Sequence, residues 1–223
     1  MRPRNSILAA LVALTLAVPV HAEAPKVSLF PKPRPANLWS PLPEPLLQLF
    51  AGSVCGTETI RGTRLLPLKR TPNGCGVDDP VLVTSVSGIT LSEAATLDCP
   101  TAKALDNWTR EAVRPAFAAQ GGLRRLTVAG SYECRPRNRQ AGAKLSEHSL
   151  GHAIDISAFQ LQDGTQVSVQ KGWNSVLHGK TLRSLHAQAC GPFGTVLGPD
   201  SDAFHADHFH LDTARYRKGS YCR

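Results

Sequence analysis

The chain has 223 residues, of which 42% are hydrophobic and 19% are charged, as expected for one globular domain with a short appendage. Its formal charge of +8 comes from scattered basic residues rather than from a single run with interleaved aromatic residues. This distribution argues against nucleic acid as a partner. A solvated surface, or attraction to an anionic envelope surface, explains the charge instead.

The first 22 residues have the pattern of a secretory signal peptide. Two arginines precede an apolar run, Ile7–Val18, and Val20-His21-Ala22 forms a small-x-small cleavage site. We therefore predict that residues 1–22 are removed. No later segment has the roughly 20 apolar residues that span a bilayer. A soluble exported protein, located in the periplasm or cell envelope, is expected.

Residues 23–45 contain seven of the 17 prolines in the chain. Because proline lacks a backbone N–H group and restricts φ, this composition predicts an extended tether. The folded domain is then predicted over residues 46–223. No internal repeat or heptad pattern is visible in it.

Six cysteines in the predicted mature part support export. No two are spaced as Cys-x-x-Cys, which argues against zinc-finger and thioredoxin-like sites. An even number in an exported chain favours up to three disulfides, although the sequence leaves the 15 possible pairings of six cysteines open. A bridge from Cys190 to Cys222 is preferred, because it would join the last predicted helix to the chain end. The six are Cys55, Cys75, Cys99, Cys134, Cys190 and Cys222.

Two strands and one helix are predicted in the first half of the domain. Val81–Val86 is rich in β-branched residues and predicts a strand, and Leu126–Tyr132 predicts the next one. Between them, Ser92 is placed as the N-cap of a helix that continues past Val113 and ends by Gly121-Gly122.

The second half is predicted to be mostly strands. Ala153–Ile156 alternates as a half-buried strand, and a turn at Asp163-Gly164 leads to its hairpin partner at residues 166–169. Thr181–Ala189 predicts a short helix, and His208–Asp212 alternates again. Because strands follow one another more often than they alternate with helices, the fold class is predicted as α+β, with an antiparallel sheet flanked by helices.

Histidines occur in two motifs, residues 146–155 (SEHSLGHAID) and residues 205–210 (HADHFH). Residues i and i+2 of a strand project from one face. His208 and His210 are therefore predicted to point the same way, one binding a metal ion and the other standing beside an open coordination position.

The first motif offers complementary ligands. Gly151 allows the chain to bend, so that His148 returns toward the carboxylate of Asp155. Together with one imidazole of the second motif, these residues form a set of two imidazoles and one carboxylate, which suits a catalytic Zn²⁺ with a fourth position left for water.

The spacing Ser-x-His-x-x-Gly-x-Ala-x-Asp in residues 146–155 resembles the signature of zinc peptidases related to D-alanyl-D-alanine carboxypeptidases, lysostaphin-type endopeptidases and the hedgehog signalling domain. From about residue 50 to residue 223, the chain is similar to the extensin-like C-terminal domain family of bacterial exported proteins. The similar segments include residues 130–135 (GSYECR), 206–212 (ADHFHLD) and 221–223 (YCR). The resemblance implies a fold of the zinc-peptidase type.

This resemblance also implies roles for individual residues. His148, Asp155 and His210 match the metal ligands of the zinc peptidases. His208 matches a histidine that assists catalysis, and His205 matches one that murein endopeptidases place three residues earlier.

Further comparison with these peptidases bears on substrate recognition. Arg135 resembles a substrate-binding arginine, with an ordinary surface arginine as the alternative. Ser146 is predicted as a second substrate-binding residue, and its side chain is expected to hydrogen-bond near the ligand histidine. The carboxypeptidases use a Glu-x-x-His arrangement, whereas this chain has Asp207 three residues before His210. The resemblance therefore favours an endopeptidase.

The leading hypothesis is a zinc-dependent peptidoglycan hydrolase that cleaves amide bonds in cross-links or stem peptides, as a D,D-endopeptidase does. Zn²⁺ is the expected cofactor and peptidoglycan is the expected partner. An envelope protein is considered as a second partner. The alternative is a non-catalytic, zinc-containing module that binds the cell wall. A structural wall protein is the third hypothesis, but the tether is too short and irregular for a repetitive rod.

Overall fold

The computed structural model describes residues 52–216 and 218–223. The predicted signal peptide and proline-rich tether lie outside the described residues. The strands are β1 (Gly52–Val54), β2 (Thr57–Arg64), β3 (Pro80–Val86), β4 (Ile89–Asp98), β5 (Leu123–Gly130), β6 (Ala153–Leu161), β7 (Gln166–Ser168), β8 (Thr195–Leu197), β9 (Phe209–Asp212) and β10 (Tyr221–Cys222). The α-helices are α1 (Cys99–Trp108), α2 (Arg114–Phe117), α3 (Val169–Gly172) and α4 (Gly179–Ala189).

These ten strands form one mixed sheet in the order β1-β2-β3-β4-β5-β6-β9-β8-β10, and β7 also pairs with β6. Strands β4 and β5 run parallel, because the helical segment between them returns the chain to the same end of the sheet. Strands β8 and β10 are also parallel. The other pairs are antiparallel.

This topology corrects the predicted fold class. The prediction of an α+β fold of the zinc-peptidase type, with an antiparallel sheet flanked by helices, is wrong. The described chain is mostly β, with a mixed sheet of ten strands and a few short helices. A succession of strands indicates antiparallel neighbours only where hairpins join them, and here a helical crossover separates β4 from β5.

The helix predicted from Ser92 is also corrected. Residues 89–98 form strand β4, in which alternate apolar side chains are buried with the period of two that a strand requires. Helix α1 begins only at Cys99. Its N-cap is Asp98, whose carboxylate accepts a hydrogen bond of 2.9 Å from the N–H of Thr101.

The other predicted elements are present with different ends: β6 continues to Leu161, beyond the predicted Ala153–Ile156, and β5 begins at Leu123 and ends at Gly130 instead of spanning Leu126–Tyr132. They include the strands now numbered β3, β5, β6 and β9, the β6–β7 hairpin and helix α4. In the hairpin, Gly164 adopts a φ of +90°, which favours glycine.

The apolar core lies between the sheet and the two longer helices. Trp108 of α1 donates a hydrogen bond of 3.0 Å to the carbonyl of Leu185 in α4. Its indole ring packs edge-on against Phe159 of β6, which also contacts Phe209 of β9. Because side chains alternate along β9, burial of Phe209 in the core directs the next residue, His210, to the other face.

All six cysteines are paired, as Cys55–Cys99, Cys75–Cys134 and Cys190–Cys222. The predicted bridge between Cys190 and Cys222 is therefore confirmed. Three disulfides are consistent with a protein that is exported to an oxidising compartment. Among the residues described, no helix has the length and apolarity needed to cross a membrane.

The Cys190–Cys222 bridge connects the end of α4 to β10 across a separation of 32 residues. We expect replacement of both cysteines by serine to lower the free energy of unfolding by roughly 2–4 kcal/mol, because the unfolded chain regains conformational freedom. Urea denaturation of the oxidised wild type and the double variant measures this difference. Equal stabilities would contradict the expectation.

Candidate metal centre

A cleft of about 850 Å³ brings together all seven residues that the sequence predicted for the site. Both histidine motifs contribute to its lining, as do the two residues predicted to bind substrate. These predicted residues are Arg135, Ser146, His148, Asp155, His205, His208 and His210.

Two strands and one turn position the three predicted metal ligands. Asp155 of β6 and His210 of β9 are opposite each other in the antiparallel register. His148 lies in a 3₁₀ turn that ends at Gly151, where φ is +73°. A Cβ atom at Gly151 would lie 2.9 Å from a methyl group of Val77, so both the backbone and the available space require glycine.

Nitrogen and oxygen atoms of these three residues converge. His148 Nε2 lies 3.2 Å from His210 Nδ1 and 3.2 Å from Asp155 Oδ2. His210 Nδ1 lies 3.0 Å from Asp155 Oδ1. All three residues are buried, and their donor atoms are close enough to one another to hold one metal ion.

Hydrogen bonds to the outer ring nitrogens set the orientation of both imidazoles. His148 Nδ1 donates to the carbonyl of Ser131 at 2.7 Å, and His210 Nε2 donates to Asp212 Oδ2 at 3.0 Å. These bonds leave His148 Nε2 and His210 Nδ1 as the nitrogens that face Asp155. Metal-binding histidines usually have such partners.

The sequence patterns did not identify the carbonyl of Ser131 as a partner of His148. Every residue has a main-chain carbonyl, so residue type does not indicate which carbonyl accepts a hydrogen bond from a metal-binding histidine.

The buried charges compensate one another. Burial opposes the charged form of His210, but Asp155 and Asp212 more than offset it and raise the pKa of His210 to about 9. Burial likewise opposes ionisation of Asp155, yet His148 and His210 hold the pKa of this carboxyl well below its usual range. A proton and a metal ion would compete for the same lone pair on His210 Nδ1.

Two further histidines stand beside this group. His208 Nδ1 donates to Asp207 Oδ1 at 2.7 Å, while its Nε2 lies 3.7 Å from Asp155 Oδ1. His205 Nδ1 donates to Asp202 Oδ1 at 2.7 Å. Burial lowers the pKa of His205, and the hydrogen bond to Asp202 offsets this only in part. Sequence reasoning did not identify either aspartate as a partner.

The two predicted substrate-binding residues are held by the protein itself. Arg135 Nε donates to Glu133 Oε2 at 2.8 Å, so its guanidinium already has a carboxylate partner. The N–H of Ser146 donates to the carbonyl of Arg135 at 3.1 Å, and the carbonyl of Ser146 accepts from Ser149 at 3.0 Å. These main-chain bonds shape the turn before His148. The role predicted for the Ser146 hydroxyl stays a prediction.

Gly130 of β5 pairs with Asp155 of β6 and makes room for its carboxylate. A Cβ at residue 130 would lie 2.9 Å from Asp155 Oδ2, so the carboxylate would have to move from its position beside His148. We expect Gly130→Ala to lower the free energy of unfolding by about 1–3 kcal/mol.

Gly52→Ala is the matched control, because an added Cβ there meets no atom within 4 Å. Its effect should stay within about 0.5 kcal/mol. Urea denaturation of both variants measures the difference, and similar losses in the two would contradict the steric argument.

His152 provides a pH-dependent prediction. Its Nδ1 donates to Glu147 Oε2 at 3.0 Å, and its Nε2 lies 3.5 Å from Asp98 Oδ2. The hydrogen bond to Glu147 raises the pKa of His152 against the opposing effect of burial. Protonated His152 therefore stabilises the fold fully below the unfolded pKa of about 6.5, and this contribution is lost as pH rises through the higher folded pKa.

We expect His152→Gln to destabilise the protein more near pH 5 than near pH 9, since the charged imidazole is present only in acid. Denaturation of wild type and variant at each pH measures this difference. A loss that is independent of pH would show that the ion pairs of His152 do not contribute.

The chain was also compared with known proteins. Residues 54–223 match the family described as Extensin-like protein C-terminus. Comparisons with curated proteins and with solved structures gave no significant match. The matched range includes every residue that lines the cleft. The chain therefore belongs to the extensin-like protein C-terminus family.

Proposed function

We propose that the protein is a zinc-dependent hydrolase of amide bonds in peptidoglycan, acting on cross-links or stem peptides. The supporting observation is the triangle formed by His148 Nε2, His210 Nδ1 and the Asp155 carboxylate, with sides of 3.0–3.2 Å. Tetrahedral ligands about 2.0–2.1 Å from Zn²⁺ are separated by roughly 3.3 Å. The three residues thus fit three corners of such a site.

A Zn²⁺ ion bound by three protein ligands acts as a Lewis acid and lowers the pKa of a bound water to about 7. Protein groups orient the ligands for this chemistry. Ser131 and Asp212 accept the outer N–H groups of the two imidazoles, so the inner nitrogens are the ones that would bind the ion, and His210 would release its inner proton when the metal binds.

His208 is placed to transfer protons. Its Nδ1–H is donated to Asp207, which orients the ring and leaves Nε2 as the nitrogen that accepts a proton. Its Nε2 faces Asp155 and the cleft, so His208 would accept a proton from water at Nε2 and return it to the leaving amine.

His205 is better suited to a proton relay than to binding an oxyanion. Because its Nδ1–H is donated to Asp202, the neutral ring presents Nε2 as an acceptor. Its ring centroid lies 5.4 Å from that of His208. We therefore propose that His205 accepts protons that arrive from the side of the cleft where His208 lies.

The lining of the cleft is compatible with a large amphipathic substrate. Phe204, Tyr216 and Tyr221 are partly exposed large aromatic residues that line it. Aromatic side chains of this kind offer contact area together with polar groups. Three disulfides are consistent with export. Together with this lining, they support the proposal that the substrate is a glycopeptide polymer outside the cytoplasm.

The first test measures metal content. Protein purified without a metal-affinity tag is expected to contain one zinc ion per chain by elemental analysis. His148→Ala, Asp155→Ala and His210→Ala should lose it, because each removes a ligand. His178→Ala is the matched control, since His178 does not line the cleft. Full metal retention by the three ligand variants would contradict the proposed site.

A second measurement separates hydrolysis from binding. His208→Ala should keep the metal but release fragments from purified peptidoglycan about 10²–10⁴-fold more slowly, the usual contribution of a general acid or base. Mass spectrometry identifies the fragments at matched zinc occupancy. Equal non-zero rates would remove His208 from the mechanism. Absence of release by zinc-loaded wild type from several wall types would favour the wall-binding module.

A further inference from the structure

Residues 133–147 form one wall of the cleft, here called the basic wall. Four cationic side chains and two carboxylates from this segment line the cavity, which leaves two positive charges in excess. They are Arg135, Arg137, Arg139, Lys144, Glu133 and Glu147.

The carboxylate of Glu133 forms ion pairs with two of the four cationic side chains. Arg139 Nη1 and Nη2 donate to its two oxygens at 2.5 Å and 2.7 Å, and Arg135 Nε donates to Oε2 at 2.8 Å. Burial raises the pKa of Glu133, but the two guanidinium groups more than offset this and lower it. Arg135 and Arg139 therefore both have Glu133 of the basic wall as an ion-pair partner.

Arg137 is oriented while part of it stays accessible. Its Nη2 donates to Tyr216 Oη at 2.8 Å and lies 3.5 Å from Glu147 Oε1. Buried Glu147 also accepts hydrogen bonds from Tyr216 and His152. Among the described residues, Nε and Nη1 of Arg137 have no acceptor, and 45% of its side chain is exposed.

Lys144 lies next to Arg137. The main-chain carbonyl of Lys144 accepts a hydrogen bond of 2.9 Å from the N–H of Arg137, and Pro136 and Leu145 form the adjoining β-bridge. Lys144 is exposed and lines the cleft. Within the part of the chain that is described, no carboxylate lies within ion-pair distance of its ammonium group.

We infer that Arg137 and Lys144 bind a free carboxylate of the substrate. This inference rests on the proposed function and narrows its substrate class to anionic peptides. A guanidinium offers paired donors that match a carboxylate, and an ammonium adds a second charge. Glu147 contacts Arg137 and directly precedes His148, so the carboxylate would bind close to the amide that is hydrolysed.

Binding of a pair of probe peptides tests this assignment without requiring turnover. One is a synthetic cell-wall stem peptide with free carboxylates, and the other is the same peptide with every carboxylate converted to a carboxamide. Isothermal titration calorimetry with the mature protein should give a Kd at least about ten-fold lower for the free acid, because charge-assisted hydrogen bonds are roughly twice as strong as neutral ones.

Variants that each remove one positive charge show which residues cause the preference for the free-acid peptide. Lys144→Gln and Arg137→Gln should each reduce it several-fold. Lys180→Gln removes one exposed charge outside the cleft and should leave it unchanged. Lys144 has no side-chain partner among the described residues, so its substitution tests binding even if Arg137→Gln disturbs Tyr216 and Glu147.

The outcomes distinguish this inference from the proposed function. Equal Kd values for the two peptides, loss of the preference with Arg135→Gln alone, or an equal loss with Lys180→Gln would overturn the carboxylate site. A preference that depends on Lys144 would support it even if the protein released no fragments, a result that would count against hydrolysis only. Fragment release that is insensitive to amidation would retain the hydrolase and reject the carboxylate site.

Discussion

The antiparallel pairing of β6 with β9 determines whether the candidate metal centre can form. Its register sets Asp155 opposite His210, while Ile154 and Ile156 of β6 are completely buried in the core. Because side chains alternate along a strand, a slip of one residue would turn Asp155 into the core and bring an isoleucine to the cleft. The hydrophobic core therefore selects the register, and the register assembles the polar site.

Burial of so many ionisable groups in one place requires mutual compensation. Asp155, His210 and Asp212 form a carboxylate–imidazole–carboxylate chain, and each is at most 9% exposed. An isolated charge at such a position would be strongly unfavourable, whereas each of these groups has a hydrogen-bonded partner of opposite charge. Two carboxylates around one imidazolium retain a net negative charge, which makes this part of the cleft suitable for a cation.

Sequence patterns predicted the short-range features of this protein. Alternation identified β6 and β9, and motif spacing identified residues that the structure gathers in one cleft. The segment 89–98 was misassigned because its apolar residues, together with those of α1, also approximate helical spacing. The parallel pairing of β4 with β5 could not be predicted from a succession of strands, since it depends on how the intervening helices pack.

Side-chain partners were harder to predict, because they depend on contacts between distant segments. Arg135 matched a substrate-binding arginine in sequence, but only the structure shows that Glu133 engages it together with Arg139. A pattern of residue types identifies which arginines are near the site. It does not show how closely each is held by a carboxylate. Arg135 lies 2.8 Å from Glu133 and is 18% exposed, whereas Arg137 lies 3.5 Å from Glu147 and is 45% exposed, and this difference moves the expected recognition of an anion from Arg135 to Arg137.

The basic wall consists largely of irregular chain, so its geometry depends on links other than a regular hydrogen-bond ladder. The Cys75–Cys134 disulfide attaches it covalently to the segment before β3. Nearby, Ser149 Oγ bonds to the carbonyls of residues 133 and 135, and Gly76 N–H donates to the carbonyl of Ser149. These links connect the segment that holds Arg137 to the turn that holds His148. An oxidising compartment would thus favour the disulfide and also the alignment of the anion-binding wall with the metal ligands.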